Sequence, residues 1–115
     1  MGDNTVVVKS KAFAIRIVRL YQYLCYSRKE FALSRQLLSS GTSVGANVKE
    51  AIRGQSKADF TAKMNIALKE ASETEYWLEI LYETGYLNEK QFKSIYADCQ
   101  ELLKIIYSIV KTSLK

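Results

Sequence analysis

The sequence predicts an all-α chain folded as an antiparallel up-down-up-down four-helix bundle. Three observations predict it. Four stretches repeat apolar residues at alternating steps of three and four, the spacing that keeps side chains on one helical face. The 115-residue chain has no proline and only five glycines, so it is poor in the residues that the turns of most other folds require. The links between the four stretches are short, which makes consecutive helices antiparallel neighbours.

A first helix is predicted from about Ser10 to Ser27, where Phe13, Ile17, Leu20 and Leu24 form the stripe and Ala14, Val18, Tyr21 and Cys25 broaden it. Residues 1–9 lack that period. Their run "TVVV" could pair as an edge strand or dock on a neighbour, so they form an unassigned N-terminal segment beside a bundle domain spanning residues 10–115. A second helix is predicted from near Phe31 to Ile52, with Leu33, Leu37, Val44, Val48 and Ile52 inward and Gly41 in the slot between Leu37 and Val44. After "GQS", Ser56 and Asp59 have the spacing of an N-terminal capping box, and acidic charge in a first turn suits the helix dipole.

The third helix carries the clearest period, through Phe60, Met64, Ala67, Ala71, Thr74, Leu78 and Leu81, and Gly85 follows as the residue that tolerates a left-handed helix end. Asn88 and Gln91 cap a fourth helix whose stripe runs from Phe92 through Ile95, Tyr96, Cys99, Leu102, Leu103 and Ile106 to Val110. Cys25 and Cys99 match no metal spacing, and on or beside apolar stripes they read as buried, reduced and inert thiols.

Two flanks break the simple amphipathic scheme. One position before the core residues of the third helix lie Lys63, Ile66, Glu70, Glu73, Trp77 and Ile80. A wider monomer core would explain the large apolar members. The mixture of charge with Trp and Ile fits an oligomer interface better. One position before the core of the second helix lie Gln36, Ser40, Ser43, Asn47, Glu50 and Gly54. Gly41 and Gly45 in this region form a close-packing pattern, in a segment too polar to be a membrane motif. Ser43, Asn47 and Glu50 read as a structural polar seam, Asn47 and Glu50 sharing a face from which a hydrogen-bonded network could reach a neighbouring helix. A solvent-exposed polar flank is the plainer alternative.

Enzyme chemistry is poorly served. The chain has no histidine, which removes the commonest general acid/base and metal ligand together. "GQSK" lacks the phosphate-loop spacing. Glu70 and Glu73 are paired carboxylates better read as interface charges. No catalytic, cofactor-binding or metal-ligating set is therefore expected, and no cofactor. No apolar run reaches the length of about 18 residues needed to cross a membrane, and Lys9, Lys11, Arg16 and Arg19 interrupt any signal-peptide core, so a cytoplasmic chain is expected.

The net charge of +5 is unevenly shared. Residues 1–57 hold ten Lys/Arg against three Asp/Glu, and residues 58–115 hold seven against nine, a division of +7 and −2. Arg16, Arg19, Tyr23 and Tyr26 share one stripe of the first helix, and Arg35, Lys49 and Arg53 share one stripe of the second. Guanidinium groups grip phosphates and tyrosines can stack bases. The tyrosines are equally well explained by packing at a bundle edge, and the second-helix cations are the preferred nucleic-acid contacts. The rival reading is a scaffold whose partner is an acidic protein surface.

"SVGANVKEA", followed by "SKADFTAKMNIALKEASETEYWLEIL", resembles the four-helix-bundle proteins encoded in intervening sequences of bacterial 23S ribosomal RNA genes. The resemblance covers roughly residues 10–113 and rests most specifically on Ser43, Val44, Ala46, Asn47, Val48 and Glu50, and on Ser56, Asp59 and Phe60 at the start of the third helix. Family members often carry proline at the position of Gly45 and glycine at that of Ala51. The resemblance implies a bundle with no established enzymatic activity that forms five-membered rings around a pore. It also implies kinship in fold with the accessory proteins of diversity-generating retroelements, whose basic ring binds nucleic acid and a reverse transcriptase. The partners implied are a second copy of the chain, RNA or DNA, and by analogy another protein such as a reverse transcriptase.

Overall fold

The computed structural model describes residues 2–115 as four helices in sequence, α1 (Gly2–Tyr26), α2 (Leu33–Ile52), α3 (Lys57–Glu83) and α4 (Glu89–Ser113). The bundle measures 44 × 20 × 19 Å. Contacts between helices run in opposite senses along each adjoining pair. Ser10 approaches Gly45 while Cys25 meets Ser34; Glu50 pairs with Lys63 while Ser40 meets Thr74; Ala71 meets Cys99 while Tyr82 stacks on Phe92; and Lys9 reaches Glu101 while Arg16 reaches Ser94. Each neighbouring pair is thus antiparallel, and α1 closes the bundle on α4 along its most sparsely packed side.

The predicted stripes supply the core. Phe13, Ile17, Leu24, Leu37, Val44, Val48, Met64, Ala67, Ala71, Leu78, Leu81, Ile95, Cys99, Leu102, Ile106 and Val110 are all buried. Several expectations are corrected at the edges. Residues 2–9 belong to α1 and not to a strand or a separate segment, because Val6 continues the stripe of Ser10, Phe13 and Ile17 and is fully buried. Met1 lies outside the described residues. Helix α2 starts at Leu33, two residues after Phe31, and it ends with Ala51 inward while Ile52 is exposed. Of the two thiols, Cys99 is buried and Cys25 only half-buried.

The α1–α2 packing depends on two glycines. A Cβ on Gly41 would lie 2.7 Å from Cγ1 of Ile17, and one on Gly45 would lie 3.2 Å from the carbonyl oxygen of Ser10. At Gly41 the missing side chain makes room for Ile17, and at Gly45 it lets the α2 backbone come close to that of α1, the close packing that their spacing predicts. On the other side of α2, the buried hydroxyls of Ser40 and Thr74 lie 2.9 Å apart, and Thr74 Oγ1 is also 2.8 Å from the carbonyl oxygen of Glu70. Two buried polar groups are thereby satisfied between α2 and α3.

The start of α2 is held by a residue that sequence reasoning misses. The N-cap position is Ala32, which has no side-chain acceptor. Lys29 takes the left-handed conformation (φ 57°), turning the chain so that Glu30 faces back into the helix end. Its carboxylate, almost fully buried, accepts from the N–H groups of Ala32 (3.1 Å), Leu33 (2.8 Å) and Ser34 (2.7 Å). Ser34 Oγ donates in return to the Glu30 carbonyl at 2.8 Å. A negative charge here also complements the helix dipole. Next door, Arg28 donates to the carbonyls of Gly85 (3.2 Å) and Tyr86 (2.7 Å) and lies over the Tyr86 ring, tying the α1–α2 link to the α3–α4 link at one end of the bundle. At that second link Gly85 has φ +87°, and Asn88 and Gln91 form the reciprocal capping box.

Two outcomes follow from this packing. Glu30→Ala strands three backbone donors and lowers unfolding free energy by about 1–3 kcal/mol, with Glu30→Gln losing less because one acceptor oxygen remains; urea denaturation of the two variants measures the difference. Burial, and to a smaller extent the charges of Glu75, Glu79 and Asp98, push the Cys99 thiol up to about 12. Native protein treated with iodoacetamide at pH 8 therefore remains unmodified at Cys99, and unfolded protein does not, as peptide mass spectrometry will report.

Candidate functional site

Folding converts the charge division along the sequence into a lateral one. Helices α1 and α2 adjoin, as do α3 and α4, so the basic half of the sequence makes one layer and the acidic half the other. Arg35, Lys49 and Arg53 all lie exposed along the outward edge of α2. None of them has an ion-pair partner among the described residues. From Arg35 to Arg53 the helix rises about 27 Å at 1.5 Å per residue, so the three form a line of separate positive points and not one cluster.

Lys49 and Arg53 rim a groove of about 490 Å³ between α1 and α2, joined there by Lys11 and floored by Ala14, Ala46 and Ile52. Lys11 is absent from the sequence-derived contacts. Its position beside Lys49 depends on the register of α1 against α2, which no single-helix periodicity reveals.

The first-helix arginines do not join this line. Arg16 turns to the opposite side of α1, where its guanidinium meets Asp98 at 2.7 Å, Ser94 Oγ at 2.9 Å and the Ser94 carbonyl at 3.3 Å. It therefore serves the α1–α4 contact. Arg19 is exposed on the outer surface of α1. The tyrosines divide: Tyr23 is half-buried against the core, with Gln91 and then Arg28 drawing its phenol below the ordinary range, whereas Tyr26 is exposed. Packing at the bundle edge accounts for Tyr23.

The Trp77 stripe and the polar seam prove to be neighbours, lining the outer side of the α2–α3 junction. Lys63 and Glu50 bridge them at 2.9 Å. Asn47 does not join Glu50 in a network within the chain. Its Nδ2 donates at 2.8 Å to the Ser43 carbonyl one turn back, and Ser43 Oγ donates to the Ser39 carbonyl at 2.6 Å. Asn47 and Ser43 are half-buried, and Glu50 is exposed. A helical Asn or Ser answers its own backbone more readily than a distant carboxylate.

On α3, Trp77 is half-buried, packs edge-on against Tyr76 and donates Nε1–H to Glu73 at 3.1 Å, with Ile80 also half-buried and Ile66 exposed. Burial, reinforced by the charge of Glu73, holds the Glu70 carboxyl above its usual range, opposed only in part by Lys69. Residues 70–83 contain five glutamates and no Lys or Arg. Glu75 and Glu79 face α4 instead, where Tyr96 donates to Glu79 at 2.6 Å and Gln100 bonds Glu75. That carboxylate contact and burial raise the Tyr96 phenol, so it remains protonated as a donor.

No group of three or more His, Cys, Asp or Glu side chains among the described residues is placed to hold a metal ion. No helix among them is long and apolar enough to cross a membrane.

A crystal structure at 1.70 Å resolution of a protein with unknown function from the S23 ribosomal protein family of Bacteroides thetaiotaomicron VPI-5482 is similar to this chain over nearly its whole length. The TM-score is 0.95 with 55% sequence identity, covering 96% of this chain and 99% of that one. No curated protein matches. The family model of the 23S rRNA-intervening sequence proteins matches residues 2–108, which take in α1 to α3 and most of α4, and the chain belongs to that family.

Proposed function

We propose that the chain is a non-enzymatic bundle that assembles with copies of itself, as a five-membered ring, and holds the backbone of a nucleic acid through the outward edge of α2. The observation that carries the nucleic-acid reading is the line of Arg35, Lys49 and Arg53, exposed and without ion-pair partners among the described residues. Four surface cations of the bundle, Lys9, Arg16, Lys63 and Lys93, are each engaged by a carboxylate, whereas these three, like Lys11 and Arg19, are not. Cations without ion-pair partners favour a polyanion, and repetition around a ring multiplies three contacts without any new site. Self-assembly is supported by the half-buried Trp77 on a flank of mixed apolar and acidic residues.

A second reading has its own support. The floor of the α1–α2 groove is aliphatic, through Ala14, Ala46 and Ile52, between Lys11, Lys49 and Arg53. That combination suits an acidic amphipathic helix of another protein.

Fluorescence anisotropy with single- and double-stranded RNA and DNA at two salt concentrations separates the readings. The proposal predicts binding with little sequence preference. On a log–log plot the affinity falls with salt at a slope of about −0.7 to −0.9 for every phosphate neutralised. Arg35→Glu, Lys49→Glu and Arg53→Glu together abolish binding and leave helicity unchanged. Absence of binding to every probe at low salt contradicts it and leaves the protein-partner reading.

A further inference from the structure

Resting on the nucleic-acid reading above, we propose that Tyr26 and Phe31 form a base-stacking platform at the end of the α2 cation line, and that the strand held there is single, with unpaired bases on the two rings. Tyr26 is the last residue of α1 and Phe31 stands two residues before α2, so the two flank the left-handed turn at Lys29. Their side chains are open to solvent, Tyr26 being 76% and Phe31 54% exposed. Neither ring has an aromatic or cation–π partner among the described residues. Tyr82 and Phe92 stack on each other, Trp77 packs on Tyr76, and Tyr86 lies under Arg28. Two flat rings at one turn are thus left facing water.

The charges around the turn suit phosphate. Lys29 and Arg35 are exposed and have no ion pair among the described residues. Arg35 belongs to the first turn of α2. It also stands within electrostatic reach of the end of α1, where Cys25 raises the Tyr21 phenol and the charge of Arg35 opposes that rise. Between Asp3 and Glu50 the only acid in the sequence is Glu30, and its carboxylate is taken up by the N–H groups that open α2. Aromatic rings beside cations are the two parts of a surface that binds single strands, the cations taking phosphates and the rings taking bases. A base inside a duplex has both faces covered by its neighbours, so only an unpaired base can lie on Tyr26 or Phe31. Beyond Arg35, Lys49 follows at about 21 Å and Arg53 at about 27 Å along α2, at 1.5 Å per residue. One strand can therefore stack at the turn and run its backbone along the helix. Stacking of this kind accepts any base, in RNA and DNA alike.

Removing the rings tests the platform. Fluorescence anisotropy is run at low salt with RNA and DNA probes of about twelve nucleotides, each as single strand and as duplex, with circular dichroism as the check on folding. The proposal predicts that the native protein binds single strands more tightly than duplexes. Tyr26→Ala/Phe31→Ala lowers the affinity for single strands of both RNA and DNA by about tenfold or more and leaves that for duplexes unchanged. Phe31→Leu, which keeps the apolar bulk and loses the ring, also weakens single-strand binding, and Phe31→Trp retains it. If Tyr26→Ala/Phe31→Ala binds single strands as tightly as the native protein, or loses single strands and duplexes equally, the platform is overturned. The cation line then stands, and the two rings are left for a protein partner. If the native protein binds none of the probes, the nucleic-acid reading falls and the platform with it.

Discussion

The approach of α1 to α2 at Gly41 and Gly45 is the contact on which the rest of the arrangement depends. With a side chain at either glycine, Ile17 or the backbone at Ser10 would have to move. The close approach sets the register and rotation of α2. Ser34, Leu37, Val44 and Val48 are thereby carried into the core, and Ser40 is brought beside Thr74. The same rotation leaves Arg35, Lys49 and Arg53 on the outer edge. A helix packed at ordinary distance would have to be rotated or displaced, and its cations would then point elsewhere. Polar and small residues in the middle of α2, costly for helix propensity, are thus the condition for its packing on two neighbours at once.

Surface charge follows from the same geometry. The basic half of the sequence becomes one layer because α1 and α2 are held backbone to backbone, and the acidic half becomes the other. Most surface ion pairs in the bundle are half-exposed and contribute little to stability. Their role is to show which charges are spent within the chain. Arg16 is committed to Asp98 and Lys63 to Glu50, whereas the α2 cations remain available.

Most of the fold was legible because helical periodicity and capping are local. The α3 stripe, the Ser56 and Asn88 caps and Gly85 are each decided by residues within one turn of one another. What was not legible depended on contacts between helices. The valines at residues 6–8 disguise the first turns of α1, since β-branched residues favour strands until Val6 is seen to be buried by its neighbours. Glu30 acts as a cap from outside the usual N-cap position, and only the left-handed turn at Lys29 places it there. In the candidate site, the line of Arg35, Lys49 and Arg53 could be read from spacing alone. The diversion of Arg16 to α4 and the arrival of Lys11 beside Lys49 could not, because both depend on how α1 is rotated against its neighbours.

The direct test of the α1–α2 constraint is a double-mutant cycle on Gly41→Ala and Ile17→Ala, measured by urea denaturation at fixed protomer concentration. Gly41→Ala alone forces Ile17 from its place and costs about 1–3 kcal/mol, set against roughly 1 kcal/mol gained in helix propensity. Ile17→Ala alone costs about 2–5 kcal/mol by opening a cavity. Together, the new methyl at position 41 occupies part of the space vacated at position 17. The account therefore predicts a double variant at least about 1 kcal/mol more stable than the sum of the single losses implies, a coupling of the size seen for residues in contact. Additivity within about 0.5 kcal/mol would mean that the two helices do not meet at this point, and would contradict it.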